Sequence, residues 1–266
     1  MINFFLLKES YIVFIKLSQY NQRSQLILKT ILDITNKKNI FDYDVNIFNF
    51  SELFLKHLSS FNIDTLENLH SHLPKTLLPK EVVNVENDQS MPIYKILYKI
   101  DKGYDLNNSN QSGIFLNTYK DFVHHLSSTI FKEKLIYQRK PTLRIHLPEN
   151  KSVGGFHRDR DYNHPIEEIN IWVPITSAFN TNTVWIESEF DKADYSPMNL
   201  NFGQAVIFDS GLTHGNKVNI ENSTRMSFDF RVIPASKWKK DKKQKTKMSL
   251  NQNLKFDTND YYDVTT

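Results

Sequence analysis

The 266-residue chain contains no cysteine. That excludes a disulfide framework, thiolate zinc sites, iron–sulfur clusters and thiol nucleophiles. Long apolar runs are also missing. The stretches Phe4-Phe5-Leu6-Leu7 and Tyr11-Ile12-Val13-Phe14-Ile15 are interrupted by Lys8, Glu9 and Lys16. They are too short and too charged to span a bilayer, and they lack the order of a signal peptide. The expectation is a cytoplasmic protein without membrane insertion. No internal repeat is evident.

Charge of one sign is scarce outside one place. The net charge is +3, and Lys237, Lys239, Lys240, Lys242, Lys243, Lys245 and Lys247 crowd a single segment. The rest is close to balanced, so no nucleic-acid partner is expected for the body of the molecule. The lysine segment reads as a solubilising tail; docking to an acidic membrane or nucleic acid is the weaker alternative.

Hydrophobic residues make up 39% of the chain and aromatics 13%. Their amount allows a sizeable core, and the Phe and Tyr content suits sheets and a walled pocket. Helices are expected over 22–35, Phe50 to Leu58, Phe61 to Leu69 and Leu116 to Phe131, from apolar positions at helical spacing. From about residue 140 the period changes to two. Leu143–Leu147, Glu168–Val173, Thr183–Glu187, Gln204–Asp209 and Arg225–Val232 read as short strands separated by Pro, Gly and Asn turns. This favours a mainly β fold with helical decoration, a jelly-roll barrel rather than a βαβ fold. The domain expectation is a single unit over 1–238. A largely helical part, 1–139, would pack on a β core at 140–238, and a flexible Lys-rich tail would follow at 239–266.

Chemistry concentrates in Gly155-Phe156-His157-Arg158-Asp159 and in His214. Two imidazoles and a carboxylate suit a non-haem Fe(II), leaving about three coordination positions open. In a strand, residues two apart point the same way, so His157 and Asp159 can reach one ion while His214 arrives from another strand. Gly211 and Gly215 bracket His214 and would let the backbone turn and approach. Asp161 is the runner-up carboxylate, in a stretch that turns at Tyr162-Asn163-His164-Pro165. Arg225 and Ser227 share one face of the last strand with Asp229 and Arg231, opposite Met226, Phe228 and Phe230. A buried guanidinium there needs an anionic partner, which a dicarboxylate cosubstrate would supply. Arg231 is a second candidate for that role. Asn170, Trp172, Trp185 and Glu187 are candidates for the pocket wall, with His164 a weaker one. Asn170 is the firmest of these, because a polar side chain within an apolar strand needs a hydrogen-bond partner. Core packing is the alternative for both tryptophans. His146 reads as a pocket or core residue.

These passages, with Phe208-Asp209-Ser210-Gly211-Leu212-Thr213-His214-Gly215-Asn216 and Thr224–Val232, resemble the Fe(II)/2-oxoglutarate-dependent dioxygenases. More narrowly, they resemble the streptomycin-biosynthesis-type branch near the phytanoyl-CoA hydroxylase superfamily. The resemblance covers about Arg144 to Pro234 and departs at Asn180 to Asn182, where the usual Asn-Gly loop of the phytanoyl branch is absent. It implies a double-stranded β-helix, Fe(II) on His157, Asp159 and His214, and 2-oxoglutarate with its distal carboxylate on Arg225 assisted by Ser227. Asn170 is placed with the cofactor-binding group. The implied partners are dioxygen and a small polar metabolite, sugar-like or amino-acid-like, in a monomer or homodimer. Desaturation or cyclisation at the same site, and a non-enzymatic cupin-like binding module, are the alternatives. Halogenation is disfavoured because Asp159 occupies the position a halide would need.

Overall fold

A computed structural model describes residues 38–77, 113–152, 155–238, 247–248, 254–258 and 260–266. The expected helix over 22–35 and the lysine-rich stretch 239–246 lie outside the described residues.

Mainly antiparallel sheet with few helices makes up the described chain. The strands are β1 (Asn39–Asp42), β2 (Leu135–Gln138), β3 (Thr142–His146), β4 (Ile169–Pro174), β5 (Val184–Ile186), β6 (Ser196–Pro197), β7 (Gln204–Asp209), β8 (His214–Asn216), β9 (Arg225–Pro234) and β10 (Tyr262–Val264). The larger sheet runs β1-β7-β4-β9-β2-β10, and β3 pairs with the first half of β9. The smaller sheet runs β6-β5-β8.

Alternation along β9 explains the layering. Met226, Phe228, Phe230 and Val232 join Ile169, Ile171 and Val173 of β4 and Ala205 and Ile207 of β7 in one core cluster. Helices α1 (Phe50–His57) and α3 (Ile114–Leu126) cover this face. The α1 helix starts at Asn49, whose side chain accepts the Glu52 N–H and satisfies a donor the helix leaves unpaired. Its Phe50 and Phe54 are one turn apart and both fully buried. Phe50 meets Phe228 at 4.8 Å between ring centroids, and Tyr119 of α3 meets Phe230 at 5.1 Å, both edge to face. Each such ring contributes roughly 1.5–3 kcal/mol by burial. The opposite face of the larger sheet meets the smaller one: Trp172, Val206 and Phe208 pack with Val184 and Ile186.

Two expectations need correction. Residues 61–69 do not form one helix. Asn62 adopts a left-handed φ of 51° and Thr65 is extended, so the segment breaks into 3-10 turns at Ser59–Phe61 and Leu66–Asn68 and a one-turn helix, α2 (Leu69–His72). Within the stretch expected as a flexible tail, the described residues 254–258 and 260–266 are packed. Strand β10 pairs with β2, and Phe256, Tyr261 and Tyr262 are buried with Ile136 and Ile233. Loss of apolar periodicity hid this, because three aromatic side chains suffice to anchor so short a strand.

Candidate metal centre

The inner face of the larger sheet carries polar groups at the end where the two sheets meet. His214 opens β8 and forms an isolated antiparallel bridge with His157, which extends the smaller sheet by one residue. Gly215 makes this approach possible. A Cβ there would lie 2.8 Å from the Phe156 Cα and 2.9 Å from its N. Gly211 instead leaves room for the Arg160 guanidinium. Neither glycine has a positive φ, so both serve close packing rather than the sharp turn expected from the sequence. The chain does not continue as a strand past His157. It enters a 3-10 turn at Asp159–Tyr162, and the Asp159 N–H donates to the Ser210 carbonyl at 3.2 Å.

These backbone contacts bring His157, Asp159 and His214 together. One ligand atom from each lies within 4.8 Å of the others. The imidazoles are oriented alike. Nδ1 of His157 is 2.8 Å from the Gly155 carbonyl, and Nδ1 of His214 is 2.9 Å from the Leu212 carbonyl. A carbonyl only accepts, so each Nδ1 carries the proton and each Nε2 keeps a lone pair for a metal. Burial, then the neighbouring His214, lowers the His157 pKa to about 4, which keeps its ring neutral.

Asp159 is 2% exposed and has a built environment. The Asn170 amide donates to its Oδ2 at 2.7 Å; Arg231 donates to Oδ2 through Nε at 3.2 Å and to Oδ1 through Nη2 at 3.1 Å. Oδ2 thus takes two donors, while Oδ1 sits 3.7 Å from the His157 Nε2 and is the oxygen placed to ligate. Burial opposes the Asp159 charge, but Arg231 and His214 overcome it and hold the carboxyl well below the usual range. Arg231 also bonds Asp229 at 3.1 Å, and Asp229 bonds Arg144 at 2.9 Å. The result is a chain of alternating charge, Arg144–Asp229–Arg231–Asp159. Arg231 is therefore paired with two carboxylates, Asp159 and Asp229. The alternation of β9 placed Arg231 on the correct face; its role depended on where residue 159 folds.

Arg225 is 1% exposed on the same face. It donates to the Asn182 carbonyl at 2.8 Å, the Ser227 hydroxyl at 2.9 Å and the Asn216 side-chain oxygen at 2.8 Å, and lies 5.7 Å from the Trp172 ring centroid. Its Nη2 is 3.3 Å from the His146 Nδ1, and the His146 Nε2 is 2.9 Å from the Asn150 carbonyl. The His146 Nδ1 also lies 3.1 Å from the Asn182 carbonyl, which Arg225 shares. Among the described residues, the buried side-chain nitrogen of Asn182 has no hydrogen-bond partner. His146, read from the sequence as a pocket or core residue, is buried beside Arg225, whereas Asn182 entered that reading only as part of the Asn180 to Asn182 loop.

The remaining candidates separate. Trp172 lies between the sheets with Val206 and Phe208. Trp185 is held by the Asn180 carbonyl at 3.0 Å, with the Lys217 ammonium 3.3 Å from its ring centroid. Glu187 is buried and accepts the N–H groups of Thr213 and Ala193, so it ties loops together. His164 packs on Phe256 and Tyr261 and bonds Glu168 at 2.7 Å. Asp161 is exposed and pairs with Arg158.

Two facing antiparallel sheets with a His, Asp, His cluster between them define a candidate non-haem metal centre. The streptomycin biosynthesis protein StrG of Streptomyces griseus is 32% identical over 184 residues, 69% of this chain and 81% of that protein. The chain belongs to the family of this streptomycin biosynthesis protein. Among solved structures, the nickel complex of the non-haem monooxygenase ThoJ matches with a TM-score of 0.45 at 16% identity, over 76% of this chain and 75% of that one. AviO1 from Streptomyces viridochromogenes Tue57 matches with a TM-score of 0.44 at 12% identity, over 77% and 93%. No protein-family profile matches the chain. Among the described residues, no helix is long and apolar enough to cross a membrane.

Proposed function

We propose that the protein is an Fe(II)- and 2-oxoglutarate-dependent oxygenase that hydroxylates a small polar metabolite, sugar-like or amino-acid-like, in a biosynthetic pathway. The two-sheet arrangement is read as a double-stranded β-helix, a cupin-like jelly roll with the metal inside. The observation that carries the reading is the convergence of three ligand atoms within 4.8 Å, two of them on imidazoles held in the tautomer a metal requires. Two nitrogens and one oxygen on one side of an ion suit Fe(II) with open positions opposite.

His157, Asp159 and His214 would hold the iron. Arg225, Ser227 and the Asn182 amide would receive the distal carboxylate of 2-oxoglutarate. Charge favours such a cosubstrate. Asp159 and Asp229 are offset by Arg231 and Arg144, so a divalent ion beside Arg225 adds positive charge that a dianion neutralises. Bound iron and 2-oxoglutarate supply the oxidant: dioxygen and the keto acid are consumed, succinate and carbon dioxide form, and a substrate C–H becomes C–OH. The chain's own part is to fix these groups and limit water, with Trp172, Val206, Phe208 and Leu212 as an apolar wall.

Succinate release is the test. Purified protein loaded anaerobically with Fe(II) should convert 2-oxoglutarate to succinate when oxygen is admitted, and faster with a matching sugar-like or amino-acid-like substrate. His214→Ala should abolish this. Iron binding without succinate across a broad metabolite panel would favour a cupin-like binding module instead.

A further inference from the structure

Glu168 is a buried carboxyl that the proposed chemistry does not use. Its side chain is 0% exposed, yet both oxygens are engaged: Tyr262 donates its hydroxyl to Oε1, and the His164 Nδ1 lies 2.7 Å from Oε2. A fully buried acid with two specific partners, one from the last strand of the chain, is costly unless its position is needed. Its backbone leads to the metal ligands. The Glu168 carbonyl accepts the Ser210 N–H at 3.4 Å, and the Ser210 carbonyl accepts the Asp159 N–H at 3.2 Å. Two residues further along the chain is Asn170, whose amide holds the Asp159 carboxylate at 2.7 Å. Ser210 begins the loop that ends at His214.

The C-terminal segment has the rigidity such a role requires. Tyr262 is fully buried, pairs in register with Gln138 of β2, and lies against Trp238, Phe256 and Tyr261. The Thr265 hydroxyl accepts the Leu135 N–H at 2.9 Å, and the Arg139 N–H donates to the Tyr261 carbonyl at 2.9 Å. Gln138 also accepts from Arg231 at 3.3 Å. The last residues are therefore linked to Asp159 through Glu168 and Ser210, and to Arg231 through Gln138.

We propose that the C-terminal segment is a clasp for the metal centre, with Tyr262 and Glu168 as positioning residues that set how firmly Asp159 is presented to the ion. This rests on the metal-site reading above. Loss of the Tyr262 hydroxyl should leave the strand in place while freeing Glu168 to shift.

The experiment measures Mn(II) and Co(II) binding by calorimetry, with the Co(II) visible absorption as a reporter of ligand geometry. Tyr262→Phe and Glu168→Gln should each weaken binding roughly tenfold, the low end of what removing an outer-shell partner costs. Both should alter the Co(II) bands. The double variant should bind no worse than Glu168→Gln alone, because the two groups act through one bond. Thr265→Val removes a different bond of the same segment and should bind within about twofold of the parent. If the parent chain binds neither ion, the metal-site reading fails. If the parent binds but Tyr262→Phe leaves affinity and spectrum unchanged, or Thr265→Val weakens binding equally, the clasp is overturned.

Discussion

Arg231 grips both oxygens of Asp159, at 3.1 and 3.2 Å, in a pocket from which the carboxylate is 2% exposed. The pair sits where the dication would bind, so the metal and the guanidinium compensate the same charge.

Replacing Arg231 by Met should therefore destabilise the metal-free protein by about 3–5 kcal/mol, since it leaves a buried carboxylate without its cation. A bound divalent ion takes over part of that compensation. The rise in melting temperature on adding Mn(II) should be larger for the variant than for the parent. Equal rises in a thermal-shift comparison would show that Asp159 does not face the ion.

Gly215→Ala places a methyl 2.8 Å from the Phe156 backbone, which cannot rotate away. The bridge between His157 and His214 must open. Overpacking of this kind costs about 1–3 kcal/mol, and metal affinity should fall with it. Gly155→Ala is the control, because nothing lies within 4 Å of its added Cβ. Calorimetric metal titration of both variants decides; equal affinities would remove the close-approach role of Gly215.

Arg225→Gln should raise the apparent constant for 2-oxoglutarate by about 10- to 100-fold, the worth of a charged hydrogen bond of about 1.5–3 kcal/mol. Metal affinity should change little, because Arg225 touches none of the three ligands through the contacts described above. Succinate formation titrated against 2-oxoglutarate reads the first quantity, and Mn(II) calorimetry reads the second. A loss of metal binding with no change in the cosubstrate constant would reverse the assignment.

Burial, then the Arg225 guanidinium, lowers the His146 pKa from 6.5 to about 3. Between these values the unfolded chain binds a proton that the folded chain refuses. The stability from a neutral His146 is thus complete above pH 6.5 and is lost as pH falls toward 3. The slope from this residue is at most about 1.4 kcal/mol per pH unit. Denaturant unfolding between pH 6.5 and 5 should show a shallower pH dependence for His146→Gln than for the parent. Parallel curves would mean that His146 takes up its proton in the folded state.

Legibility in the sequence followed locality. Gln204–Asp209 was readable as a strand to its ends because apolar residues occupy its centre and both flanks are polar. The two faces of β9 were readable for the same reason, and with them the inward positions of Arg225, Ser227, Asp229 and Arg231. The strand β8, three residues long with a glycine in the middle, has no period to read. Nor has β10, which exists because Tyr262 pairs with Gln138.

The amino-acid order alone determined the candidate ligands, His157, Asp159 and His214, and which side chains share a strand face, because alternation is a property of consecutive residues. Tertiary structure decided the pairings: Arg231 on Asp159, Asn170 on the same carboxylate, and Tyr262 on Glu168. Those pairs join residues 11 to 94 positions apart, and a buried charge takes its partner from whatever the folded backbone brings within hydrogen-bond reach.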